Sequence, residues 1–187
     1  MRPPFEFRSD TEYDVAGFGT NAVDYLISVP EYPKFNTKIE LTSWQMLPGG
    51  EVASTLVALQ RLGLHTAYAG RFGRDEAGKV GLQSLIDEGV DVEYAQFAED
   101  AQTQVGFIFV DEKTGERTIA WKRDDTLRYS ADEAPVDLAR SAKILHMTPH
   151  DGEAVIAMAR AACETGAVVS IDIDNLFDGF EELLKFT

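Results

Sequence analysis

The sequence predicts an α/β fold built on a parallel sheet with a small β-hairpin inserted, and three observations carry that reading. Short apolar runs ending near glycine alternate with amphipathic helical segments, the pattern of strand–helix–strand units that lay their strands parallel. The run at 167–173 is apolar almost throughout, as a strand covered by helices on both faces requires. Residues 103–122 break the alternation: two β-branched and aromatic stretches flank the loop Asp111-Glu112-Lys113-Thr114-Gly115, which reads as a hairpin. With 187 residues, 44% of them apolar, the chain is long enough for one domain with a real core.

Taken in order, residues 1–12 read as a loose leader and 13–187 as the domain. Residues 13–18 form a short buried strand, and a second apolar run at 22–29 is ended by Pro30 and Pro33. Residues 38–46 are extended and half polar, so strands of a flap are expected at about 37–46 and 103–123. The segment Pro48-Gly49-Gly50-Glu51 opens a helix whose Val52, Leu56 and Leu59 are spaced four and three apart. Ala53 and Val57 widen that apolar stripe, and Gly63 stops the helix. A strand at 65–69 leads to a helix at 77–88, with Val80, Leu85 and Ile86 expected inward and Gly89 at its end. A strand at 144–147 is followed by a helix at 153–165 whose Val155, Met158, Ala159 and Ala162 share one face, stopped by Gly166. The strand at 167–173 and a further helix at 180–186 complete the series. A doubly wound sheet usually has more strands than this, so its C-terminal part is expected to be missing.

Thirty-two acidic residues against seventeen basic ones give a formal charge of −15. So negative a surface repels phosphate backbones and anionic lipid, which argues against nucleic-acid and membrane partners. The lone Cys163 rules out an internal disulfide, and the first residues lack the apolar core of a secretion signal, so a cytoplasmic location is expected.

Several motifs bear chemistry. Gly17-Phe18-Gly19-Thr20-Asn21-Ala22 fits the loose dinucleotide fingerprint, but that motif needs a helix directly after it and 23–29 alternates like a strand. Gly73-Arg74-Asp75-Glu76-Ala77-Gly78-Lys79-Val80 nearly matches a phosphate-binding loop. It fails at Val80, where a hydroxyl should hold magnesium, and a helix capped by Asp75 is the better reading. Asp172 and Asp174 lie two apart at the carboxyl end of a strand, where open α/β sheets bind ligands; they are either ligand-facing acids or a loop acid and a helix cap. His146 and His150 form no zinc set, and Cys163 reads as a small core residue. Asp24 sits within the apolar run 22–29, where a charge is costly unless bonded. It is either an exposed acid on an edge strand or a carboxylate that accepts hydrogen bonds from the hydroxyls of a sugar. The bare backbone of Gly49 and Gly50 and the free amides of the helix start behind them suit the same kind of ligand.

Four of these pieces, in order, resemble the N-terminal part of the ribokinase-like (PfkB) carbohydrate kinase family. Val15-Ala16-Gly17-Phe18-Gly19-Thr20-Asn21-Ala22-Val23-Asp24 is similar to its opening strand and sugar-binding aspartate. Pro48-Gly49-Gly50 through Gly63 resembles its first signature, Gly70-Arg71-Phe72-Gly73-Arg74-Asp75-Glu76-Ala77-Gly78 the segment after it, and Thr114-Gly115-Glu116-Arg117-Thr118 its lid hairpin. The resemblance implies a three-layer Rossmann-like sheet with a lid, and an enzyme moving the γ-phosphoryl group of MgATP to a sugar hydroxyl. It implies acceptor-binding roles for Asp24, Gly49, Gly50 and Ser54, and for Arg123 either contact with a charged substrate group or a solvated lid position. Ser54 stands where the signature usually carries Asn, a hydroxyl in place of an amide. The chain ends before the family's second signature, which carries the anion hole, the general base and most of the ATP pocket. Hence no catalytic residue and no metal ligand is expected here, ATP and Mg2+ are implied only for the whole enzyme, and the chain alone is expected to be inactive. The resemblance also implies a homodimer through the lid, where Phe107, Phe109, Ile119 and Trp121 supply apolar surface. The rival readings are a nucleotide-dependent oxidoreductase, resting on Gly17 to Ala22, and a non-catalytic sugar-binding or assembly module.

Overall fold

Strand β1 (Tyr13–Phe18) lies at the centre of the molecule. On one side it pairs in parallel with β4 (Thr66–Gly73), and on the other with β8 (Ala142–Met147). Strands β5 (Ala95–Ala98) and β9 (Val168–Ile171) extend this sheet to the order β5-β4-β1-β8-β9, all parallel. The computed structural model describes residues 6–174 and 176–187. Helices cover both faces, giving three layers. Under α1 (Glu51–Arg61) and α2 (Glu76–Asp87), Val52 and Leu56 pack with Val15, Tyr68, Phe72 and Leu85. Under α3 (Val136–Arg140) and α4 (Gly152–Glu164), Leu138, Val155 and Met158 pack with Phe18, Leu145 and Met147. A short α5 (Phe180–Leu183) closes that side through Leu183. No helix among the described residues is long and apolar enough to cross a membrane.

A second sheet, ordered β3-β2-β6-β7, stands apart from the first. Its strands are β2 (Ala22–Val29), β3 (Ser43–Gly49), β6 (Val105–Asp111) and β7 (Arg117–Lys122). The expected hairpin is the antiparallel pair β6 and β7, but the sheet is larger than a hairpin. The run at 22–29, expected as a second buried strand, is one of its two inner strands, parallel to β6 and antiparallel to β3. The polar alternation carries the reason: Asp24 and Ser28 on one face of β2 suit a sheet open to water, not one covered by helices on both faces. Residues 37–42 are not strand, so β3 starts and ends later than expected.

Other local expectations need correction. Residues 1–5 of the leader lie outside the described residues. From Arg8 onward the chain is tied down: the Arg8 guanidinium donates to the Arg140 carbonyl at 2.9 Å, and the Glu12 N–H to that of Ser141 at 3.0 Å. Ile86 is 45% exposed; the inner face of α2 is Leu85 with Ala77, Gly78 and Gly81, three small residues that let the helix lie close on β4. Cys163 is exposed on α4, where its thiol faces the Phe186 carbonyl at 3.4 Å, and is no core residue. Strand β9 ends at Ile171, so Asp172 and Asp174 follow the strand and both are exposed.

The start of α2 is capped as its sequence suggests. Asp75 accepts from the Gly78 N–H at 2.8 Å, the Thr103 N–H at 2.9 Å and the Thr103 hydroxyl at 2.7 Å. Burial acts to raise its pKa, but these hydrogen bonds outweigh it and hold the carboxyl below the usual aspartate value. Asp75 thus joins α2 to the residues leading into β6. Asp75→Ala is expected to lower stability by about 2 kcal/mol, read as a lower denaturant midpoint at unchanged slope. Because the folded-state pKa is depressed, that contribution is present above the unfolded value and is lost as pH falls through the folded one. The difference between wild type and variant should therefore shrink in acid.

Candidate functional site

The order β5-β4-β1-β8-β9 reverses direction at β1, and open α/β sheets bind ligands at such a point, beyond the carboxyl ends of their strands. Here that place is a cleft of about 440 Å3, roofed by the small sheet. Asp24 of β2, Gly50 and Glu51 at the start of α1, and Gly106 and Ile108 of β6 line it. Ile119 and Trp121 of β7, Gln104, His150 after β8 and Asp174 after β9 complete the lining that bears polar or bulky groups.

The entry loop 19–21 is fixed from three sides. The Thr20 N–H donates to the Thr148 hydroxyl at 3.1 Å, the Asn21 amide to the Tyr68 hydroxyl at 2.6 Å, and the Tyr68 hydroxyl to the Gly19 carbonyl at 2.8 Å. The Thr20 carbonyl accepts the Ala53 N–H at 3.2 Å, so the start of α1 is less open than its sequence suggests. The Thr20 hydroxyl also donates to the Glu51 carboxylate.

Half-buried Asp24 lies between two glycines of neighbouring strands. A Cβ on Gly49 would stand 2.3 Å from its Oδ2, and one on Gly106 2.5 Å from its Oδ1. The missing side chains make room for the carboxylate itself. Gly50 has φ +97°, and a Cβ there would stand 2.5 Å from the Asn21 Cα, so this glycine allows the strand-to-helix turn to press on β2. The positions that side chains would take at Gly49 and Gly50 are filled by Asp24 and by the chain at 21–22, while the Gly50 backbone still lines the cleft. Burial, and secondarily the Glu51 carboxylate, raises the Asp24 pKa above the ordinary aspartate value. Gly49→Ala is sterically accessible to the backbone but displaces the carboxylate. We expect it to weaken ligand binding about tenfold with less than about 1 kcal/mol of lost stability, measured by titration and thermal melting of the same sample.

Of the five residues expected to bind acceptor, the structure brings Asp24 and Gly50 into the cleft, with Gly49 behind the Asp24 carboxylate. Ser54 is exposed one turn into α1 and lines a separate depression with Pro48, Arg61 and Ser84, because the helix turns it away from the cleft. Arg123 is neither solvated nor free. Its Nη2 donates to Asp151 Oδ1 at 2.8 Å and Oδ2 at 3.1 Å, with side chains 14% and 4% exposed. The pair ties the end of β7 to the turn before α4. Glu51, Gln104, His150 and Trp121 were not assigned to the site from sequence. Glu51 had a signal, its place directly after the glycine pair, whereas His150 and Trp121 arrive through tertiary proximity alone. Burial, and then the nearby Arg123, lowers the His150 pKa, so its imidazole is neutral at neutral pH.

Two motifs are corrected or resolved. Gly17-Phe18-Gly19 leads into strand β2, not a helix, and a Cβ on Gly17 would meet Leu56 of α1 at 2.5 Å, so this glycine serves helix–sheet packing and no dinucleotide cradle forms. Phe107 and Phe109 lie on the opposite face of the small sheet from Ile119 and Trp121, because Phe107 pairs with Ala120 and Trp121 with Gly106. The four residues therefore do not form one apolar surface.

The chain matches the model of the pfkB family carbohydrate kinases over residues 15–184. It is 28% identical over 160 residues to the nucleoside kinase of Methanothermobacter thermautotrophicus, an alignment covering 85% of this chain and 51% of that protein. It is also 28% identical, over 149 residues, to the ATP-dependent ribose-1-phosphate kinase of Halopiger xanaduensis, covering 80% of this chain and 50% of the relative. The solved structure of Arabidopsis thaliana ribokinase complexed with ribose and ATP superposes with a TM-score of 0.73 at 21% identity, covering 88% of this chain and 54% of that one. The chain spans about half the length of the curated relatives it matches.

Proposed function

The chain belongs to the pfkB carbohydrate kinase family, and on that premise we propose that it holds the acceptor sugar, or a sugar-like alcohol, of an ATP-dependent phosphotransferase. The observation that carries this reading is the Asp24 carboxylate, set between Gly49 and Gly106 and facing a cleft at the reversal point of the sheet. A half-buried carboxylate lining such a cleft can accept hydrogen bonds from vicinal hydroxyls and fix their orientation, which is most of what a phosphotransfer acceptor site must do. The small sheet acts as the lid over it.

The segment nearest to a phosphate loop is the capped start of α2, with Asp75 turned to its own helix and Glu76 beside it, and among the described residues no three His, Cys, Asp or Glu side chains converge as metal ligands. We assign the phosphate-donor site and the general base to the part of such enzymes that lies beyond the half spanned here, and route no step through them. The small sheet also exposes Trp44 and Phe107 on its outer face, the surface through which we propose that two copies pair, to be tested by sedimentation.

The test is a titration of the 187-residue chain with D-ribose, D-fructose and adenosine, followed by the fluorescence of Trp121 in a Trp44→Phe background. Saturable quenching on the order of millimolar is expected, with no ATP consumption. An unresponsive Trp121 with every acceptor, or turnover of ATP by the chain alone, would overturn the reading.

A further inference from the structure

The charge of the cleft selects among acceptors. Resting on the acceptor-site reading above, we propose that this site takes an uncharged, hydroxyl-bearing acceptor and rejects sugars that already carry a phosphate or carboxylate. Relatives of this chain are named for both kinds of acceptor, a nucleoside and a ribose 1-phosphate, so family membership leaves the choice open.

Three carboxylates, Asp24, Glu51 and Asp174, line the cleft, and no lysine or arginine does among the described residues. Arg123, directly after β7, is held by both oxygens of Asp151 with its side chain 14% exposed, so freeing it for a ligand would strand a buried carboxylate. His150 is neutral at neutral pH and adds no compensating charge. The rest of the roof is Ile108, Ile119 and Trp121, apolar surface that suits the carbon face of a sugar ring or a base and offers an anion nothing. A phosphate placed here would meet carboxylates and no cation in a partly enclosed space, whereas separate hydroxyls of one ligand can each donate to a carboxylate.

The experiment compares paired probes on the Trp44→Phe chain: D-ribose with D-ribose 5-phosphate, and adenosine with adenosine 5′-phosphate. Trp44 lies on the opposite face of the small sheet from the cleft, so the replacement leaves the site intact. At low salt the uncharged member of each pair is expected to bind about 100-fold more tightly. Raising the ionic strength to about 0.3 M is expected to narrow the gap several-fold, as is Glu51→Gln combined with Asp174→Asn. Equal or tighter binding of the phosphorylated probes overturns this inference and leaves the acceptor site standing. A preference that neither salt nor the double variant alters overturns it too, since shape and not charge would then discriminate. Should the double variant fail to fold, the salt series decides alone. Binding of neither class removes the acceptor site itself, and this inference with it.

Discussion

Asp24→Asn is expected to weaken binding of an uncharged sugar about 10- to 100-fold while the free chain melts no lower than wild type, and slightly higher at neutral pH. The two effects share one cause. A hydrogen bond to a charged acceptor contributes about 1.5–3 kcal/mol, and asparagine offers one neutral oxygen where aspartate offers two charged ones. In the unliganded chain that same charge is unfavourable, because burial and the Glu51 carboxylate raise the Asp24 pKa. A carboxyl whose folded-state pKa is raised contributes stability below its unfolded value and loses it as pH rises through the folded one, so at neutral pH the ionised group is a burden that asparagine relieves. Sugar binding by the wild type should fall on acidification at a higher pH than an ordinary aspartate would give, and the variant should lack that transition. Titration and thermal melting across pH 4–8 measure both quantities. Undiminished affinity in the variant would mean that Asp24 holds no ligand.

Arg123→Leu is expected to cost about 3–5 kcal/mol, a fall in melting temperature of about 10 °C, because it leaves Asp151 buried without its partner. Burial already holds the Asp151 carboxyl above the usual range despite the adjacent guanidinium. With the guanidinium gone, the variant should regain stability as pH falls and Asp151 takes up a proton, the direction that linkage requires for a raised carboxyl pKa. Arg123→Leu combined with Asp151→Leu should recover most of the loss, since removing both charges spares the desolvation of either. A loss below about 1 kcal/mol for the single variant would show that the pair is solvated and the end of β7 loosely held. Arg123→Leu should also leave sugar selectivity unchanged in whatever fraction remains folded, in contrast to Asp24→Asn.

The layered α/β architecture was legible in the chain because its signals are local. Apolar periodicity placed α1 and α4, the glycine at 63 and the glycine at 166 stopped them, and Asp75 announced the start of α2 three residues ahead of the amide it caps. Asp24 stood out for an equally local reason, a charge inside an apolar run. The run at 22–29 looked like a strand and is one, but nothing in its own residues said which sheet it joins; pairing with β3 and β6, some 20 and 80 residues away, decided that. Ile86 was expected inward on hydropathy, yet Gly78 and Gly81 set the contact face of α2, since close approach to Phe72 favours the residues with least side chain.

By itself the sequence determined the family and much of the strand–helix order, and it singled out Asp24, all of which depend on residues near one another along the chain; β5 and α3 were not legible in it. Only the tertiary structure decided where Gly49, Gly50, Ser54 and Arg123 lie and what they touch. A glycine gives room without naming its occupant, a helix turns neighbouring residues to different faces, and an arginine goes to the buried carboxylate that most needs it. Those outcomes depend on what folding brings alongside, and for Arg123 that was Asp151, 28 residues further on.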